Sequence, residues 1–383
     1  MTNSLLRSAL KRVVPLTLAA VVGCGPSDGK KELADGLAAL EARDPAKAVK
    51  ALEKSLACDG QTVDALVGLA RAKLALGELK AAGEAVTAAA AQEPAATDVL
   101  QLQAQLAYHG KDYSAANEFY GKLANDTSLS AEVRAEGWTG LGIVALTQNM
   151  PDVAHAAFLT AIRLDRRHAS AYYHLGLLYR NSYGLSEAAL EQFEKFAYLG
   201  DAGDVLVRKV HRVVLPEIKD TIAHAAKSRL GASRRDTAAC SSLLAKAEAA
   251  MRKGGAKGAK SAVSFYQQAL QADALSYPAA LGLAKAWPKA EAGRAGEARS
   301  LECYKLACAL KPSAVQTLLA AGQLAAQRGL QAVAAEIYLR AVAADGTNIS
   351  AIDGLIRALQ RTGKRKEAKA YQDYRDLLSP KRK

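Results

Sequence analysis

With 383 residues the chain exceeds what one ordinary hydrophobic core organises, so it holds two domains or one elongated array. Half of the residues are hydrophobic, but only 5% are aromatic and just 10 are proline, a balance that favours closely packed helices and argues against sheets. The formal charge of +13 is unevenly spread: residues 24–200 carry 17 basic and 22 acidic side chains, 201–260 carry 13 and 6, and 261–383 carry 18 and 10. Such a division bears on partners and association, not on fold.

The first element reads as an export segment. Arg7, Lys11 and Arg12 precede an uncharged run from Val13 to Val22, followed by Gly23 and Cys24. A run of about ten residues falls well short of the ~20 that a spanning helix needs, so residues 1–23 are expected to be a signal peptide. Val21-Val22-Gly23-Cys24 resembles the bacterial lipobox. That resemblance implies a diacylglyceryl thioether on Cys24, with the segment before it removed. Residues 24–28 then form a short tether, and Gly25, standing where an inner-membrane retention Asp would sit, implies the outer membrane facing the periplasm. Cys58, Cys240, Cys303 and Cys308 read as small buried hydrophobes. Cys303 and Cys308, five apart on one expected helix, suit neither a local disulfide nor a zinc pair.

Beyond the tether the sequence repeats. Ala48, Ala82 and Ala116 lie 34 apart, as do Ser300, Ala334 and Ala368, with Ala154, Ala189 and Ala262 in equivalent places. A large side chain follows each by three or four residues: Leu52, Val86, Tyr120, Phe158, Phe193, Tyr266, Tyr304 and Tyr338. The clearest units are Trp138-x2-Leu141-Gly142 with Ala154-x3-Phe158, and Tyr172-x2-Leu175-Gly176-x2-Tyr179 with Ala189-x3-Phe193. These resemble the tetratricopeptide consensus, which implies an all-α solenoid of antiparallel helix pairs, about nine repeats in phase. Two helices joined by a short turn approach to ~8–10 Å, hence the small residues where they cross. Gly77, Gly329 and Gly363 are expected to end first helices in the left-handed conformation.

Five repeats cover 29–202 and about four cover 237–383, the second group basic. Between them, 203–236 keeps a helical apolar period but contains Pro216, so it is either a degenerate repeat or a seam between two arrays. Gly254 to Lys260 reads as an inserted loop. It imitates a phosphate loop but has Ala259 in place of the second glycine and no preceding strand, so no nucleotide site is expected. Six histidines show no metal spacing, His168 and His174 reading as surface residues, and no nucleophile motif occurs. No catalytic, cofactor or metal site follows.

In proteins of the resembled family, first helices line a groove that takes up peptides or partner helices. Carried onto this chain, the inward positions are Tyr173, His174, Arg180, Asn181, Gln323, Gln327, Arg357 and Arg361, with Lys364, Arg365 and Lys366 at the closing turn. Leu33 and Leu37 stand where some members carry a carboxylate-clamping Lys and Asn, so that mode is not implied. The expectation is a lipid-anchored scaffold or assembly factor that binds envelope proteins, some with acidic segments. No nucleic acid or small-molecule substrate is expected. A non-catalytic regulator of a cell-wall enzyme, or a binder of an anionic envelope polymer, is the alternative.

Overall fold

A computed structural model describes residues 26–59, 62–231 and 235–379; Cys24 and the expected signal segment lie outside the described residues. The chain divides into two compact units, Met1–Phe119 and Tyr120–Lys383. In the first, α1 (Pro26–Glu41) pairs with α2 (Pro45–Asp59) and α3 (Val63–Ala75) with α4 (Leu79–Gln92). α5 (Thr97–His109) leads to α6 (Tyr113–Asn125), which runs into the second unit.

That unit continues with α7 (Ala131–Thr147) and α8 (Pro151–Leu164), then α9 (Ala169–Asn181) and α10 (Ser186–Leu199). α11 (Val205–Lys209) passes through a π-helical turn at Val210–Val214 into α12 (Leu215–Gly231). Four further pairs follow: α13 (Thr237–Lys253) with α14 (Gly255–Ala272), α15 (Tyr277–Ala290) with α16 (Arg294–Leu310), α17 (Val315–Gln327) with α18 (Gln331–Ala344), and α19 (Ile349–Arg361) with α20 (Arg365–Leu378). Among the described residues every named element is helical.

Left-handed residues make the turns within pairs. Gly77, Gly329 and Gly363 all have φ of +80°, as expected. Arg43, Lys111 and Asn149 take the same role with φ of 57°, 63° and 57°, a conformation in which their Cβ atoms are strained. The sequence period shows only the glycine cases.

The large side chain after the repeat's alanine packs on a glycine of a first helix, and in two repeats it lies between the first helix of its own pair and that of the next. A Cβ on Gly36 would lie 2.5 Å from Leu52, and one on Gly68 would lie 3.2 Å from it. Tyr338 is held likewise between Gly322 (2.9 Å) and Gly354 (2.5 Å). Phe158 lies against Gly142, and Phe193 against Gly176. Burying each such side chain contributes about 1.5–3 kcal/mol, and no pair completes its core without a neighbour.

Two expectations are corrected. Gly254–Lys260 is not a loop: the break is confined to Gly254 and Gly255, with φ of 73° and 68°, and α14 starts at Gly255. Gly258 serves packing, since a Cβ there would lie 2.6 Å from the Ala250 carbonyl oxygen. Cys58 is disulfide-bonded and not a free apolar thiol, whereas Cys240, Cys303 and Cys308 are free. In the 203–236 segment, Pro216 sits just past the π turn. There the Leu215 N–H reaches five residues back to the Val210 oxygen, so the ladder shifts where Pro216 brings no donor.

The second unit also closes on itself. α20 packs against α8, so the last pair does not end as a free, solvated cap. Ala154 to Ala161 is accordingly buried without interruption, whereas α4 of the first unit buries only Ala82, Ala85, Val86 and Ala89. A helix apolar on all sides needs cover on all sides.

Candidate partner-binding surface

The seam between α8 and α20 holds the most elaborate polar group of the described residues. His155 Nδ1 lies 2.6 Å from the Tyr371 hydroxyl and Nε2 lies 2.8 Å from that of Tyr179. A neutral imidazole has one N–H and one lone pair, so one tyrosine accepts and the other donates. Tyr183 donates to Asp152 at 2.7 Å, and Lys364 closes the seam on the same carboxylate at 3.4 Å. Burial lowers the His155 pKa to about 4 and raises those of Tyr179, Tyr183 and Tyr371. His155 and Tyr371 are both 0% exposed, so this group ties helices together and meets no substrate.

The groove positions in α9 are partly taken up by packing. Tyr173 lies against Phe193 and Phe196, and His174 stacks on Phe158 with its pKa lowered by burial to about 4. His174 is therefore not the surface histidine expected. His168 is also largely buried, its Nε2 lacking a hydrogen-bond partner. Arg180 pairs with Glu217 of α12 at 3.0 Å, and Asn181 is exposed beside it.

A more open strip lies on the first helices of the last three pairs. α15, α17 and α19 each present two exposed side chains four residues apart: Lys285 and Lys289, Gln323 and Gln327, Arg357 and Arg361. A four-residue spacing keeps both members on one helical face. A shallow depression of about 370 Å³ between α15 and α17 is lined by Lys285, Lys289, Tyr304, Gln323, Leu324 and Gln327. Arg357 and Arg361 occupy the same positions one repeat later, 34 residues beyond the glutamines. These four cations make no ion pair among the described residues, so their charge is available to a partner. Lys285 and Lys289 are absent from the sequence reading, because the four extra residues before Ser300 hid their register. Of the closing-turn residues, Arg365 and Lys366 are exposed, while Lys364 is engaged by Asp152.

A second hollow, of about 480 Å³, is partly filled by its own side chains. Arg299 lies 4.7 Å from the Trp287 ring centre and pairs with Glu291 at 2.8 Å. No group of three His, Cys, Asp or Glu residues able to hold a metal occurs among the described residues.

Residues 39–106 match the tetratricopeptide repeat family. With the 34-residue helix pairs above, that decides the fold. The fold is a tetratricopeptide-type α-solenoid. Among solved structures the chain is similar to pilF of Pseudomonas aeruginosa, at 20% identity over 66% of this chain and 95% of that one, with a TM-score of 0.39. It is also similar to a thermophilic tetratricopeptide protein of Thermus thermophilus, at 21% identity over 49% and 99%, TM-score 0.43. A third is MamA, at 20% identity over 45% and 92%, TM-score 0.34. At these values the likenesses say nothing of function. No curated protein matches the chain.

Proposed function

We propose that this protein is a lipid-anchored scaffold of the bacterial envelope whose C-terminal tetratricopeptide strip takes up an acidic protein segment. The observation that carries the reading is the exposed run Lys285, Lys289, Gln323, Gln327, Arg357, Arg361 across three successive first helices. Cations there attract carboxylates, and glutamine side chains offer donors and acceptors to an extended backbone. No long apolar helix crosses a membrane among the described residues, so attachment falls to the lipobox-like Val21–Cys24 stretch. Gly25 favours the outer membrane, facing the periplasm.

Charge reversal of Lys285, Lys289, Arg357 and Arg361, followed by crosslinked capture from envelope membranes, tests the strip. Partner recovery should fall in the variant, and in the wild type at 1 M salt, where the Debye length shrinks to ~3 Å. Equal recovery by variant and wild type at low salt overturns it, and recovery of polysaccharide alone favours an anionic polymer instead. Labelling with a fatty-acid probe tests the anchor: Cys24→Ser should abolish the label. A sulfur carrying diacylglyceryl has no thiol left for a disulfide, so non-reducing peptide mapping that finds Cys24 in a disulfide overturns the anchor.

A further inference from the structure

The stretch from the end of α10 through the π turn combines features that the strip and the anchor leave unused. Four of the large apolar side chains exposed among the described residues fall within sixteen positions: Tyr198 (89% exposed), Val205 (65%), Leu206 and Val213 (44%). α10 packs on α11 and on the π turn, which brings these residues into one region of the surface. The buried face of the same segment is already occupied by Val207, Val210, Leu215 and Ile218, so the outer apolar residues are surplus to the core.

Arg208, Lys209 and Arg212 stand among them, all exposed and without an ion pair in the described structure. Of the nearby acids, two are held in ion pairs and two accept backbone N–H groups while keeping their charge. Glu217 holds Arg180 at 3.0 Å and Glu194 holds Lys219 at 2.9 Å. Asp204 caps α11 by accepting the Leu206 N–H at 2.6 Å, and Asp201 accepts the Gly203 N–H. From Val205 to Val213 the exposed side chains are apolar bulk interleaved with cations and His211, with no acid among them.

We propose that residues 198–213 dock on an anionic lipid surface, with Tyr198, Val205 and Val213 entering the headgroup layer and Arg208, Lys209 and Arg212 meeting lipid phosphates. Interfacial binding rests on these two contributions, buried apolar area and attraction to anionic headgroups. These side chains stand exposed on helical segments, and a deformable bilayer receives such side chains without a matching cavity. A folded partner would have to supply one. The inference is independent of acylation at Cys24.

The test uses the full chain carrying Cys24→Ser, so that no acyl group contributes. It is sedimented with vesicles of phosphatidylglycerol in phosphatidylcholine, and with vesicles of phosphatidylcholine alone. Binding should be at least about ten-fold tighter to the anionic vesicles, given ~1 kcal/mol per cation near such a surface. The Arg208→Glu, Lys209→Glu, Arg212→Glu triple variant should lose that advantage, and the Tyr198→Ser, Val205→Ser, Val213→Ser triple variant should bind both vesicle types more weakly. These side chains are exposed, so circular dichroism should show both variants folded. A charge-matched variant elsewhere, Lys246→Glu, Lys253→Glu, Lys257→Glu, should keep it. Binding equal to both vesicle types, or lost equally in the charge-matched variant, overturns the proposal. Loss of a captured protein from the patch variants with vesicle binding intact overturns it in favour of a protein partner.

Discussion

The first pairs and the later ones use the same repeat to different ends. Between residues 26 and 119 the core is built of Ala, Leu and Val, each second helix buries one stripe, and neighbours in sequence are the neighbours in space. Between 120 and 383 the core adds Phe158, Tyr179, Phe193, Tyr338, Tyr371 and Tyr374, and α8 is covered both by its sequence neighbours and by α20. Repetition alone stacks helices one on the next. Joining the end of the stack to an earlier helix takes side chains that reach further, and a polar group, His155 between two tyrosines, that accepts one partner and no other.

The largest expected effect breaks that junction. Tyr371→Ala removes a fully buried ring and leaves His155 Nδ1 without its partner. Truncating a buried aromatic costs about 3–5 kcal/mol, and the orphaned nitrogen about 1–3 more. Hydrogen exchange should show protection lost in α8 and α20 and kept in residues 26–109; equal loss in both would erase the distinction between the regions.

Acid should act on the same region. His155 and His174 have pKa values lowered to about 4 from 6.5, so between those values the unfolded chain binds protons that the native chain refuses. Stability is therefore present above pH 6.5 and declines as pH falls toward 4, by up to about 3 kcal/mol per histidine. Urea midpoints at pH 7 and pH 4.5 measure this. His155→Phe should reduce the dependence to the share of His174, although its stability at pH 7 falls with the loss of two hydrogen bonds.

Overpacking sharpens the contrast further. Gly142→Leu drives into Phe158 of α8, which α20 blocks from moving, whereas Gly36→Leu meets Leu52 of α2, one face of which is free. Both should cost about 1–3 kcal/mol, Gly142 at the upper end and Gly36 at the lower. Thermal melts of the two variants rank them, and a reversed order would deny that the junction confines α8. The smallest effect belongs to Lys364→Met. Its pairing with Asp152 is half exposed on the lysine side, and such pairs contribute under about 1 kcal/mol. A fall larger than that in the urea midpoint would make the ion pair, not the tyrosines, the clasp.

The alanine period and the large residue after it were legible in the sequence because they answer to local geometry, a close helix crossing and the gap above it. The sandwiching of Tyr338 between Gly322 and Gly354 follows from that same period. The return of α20 to α8 was not legible as a pairing, since periodicity describes each helix against its neighbours only. One trace of it stands in the sequence: Ala154-His155-Ala156-Ala157-Phe158-Leu159-Thr160-Ala161 has no charged face to give to water. His174 was assigned to the groove by register, but its ring found Phe158. Gly254–Lys260 read as a loop because glycine and lysine suggest one, while the close approach of α14 to α13 required small residues in a helix. Lys285 and Lys289 were hidden by a local insertion that shifts the count but leaves the helix face unchanged.

The junction also orders events in time. His155 and Tyr371 are 216 residues apart, so at ~5–20 residues per second α8 is synthesised about 10–45 s before the helix that covers it. During that interval its uncharged flank has no native cover. A chain that stops before α20 would keep that flank bare permanently, and should be cleared or aggregate even though every earlier pair is present. Completion of the last helix thus works as a check on the whole second unit, made by the fold itself.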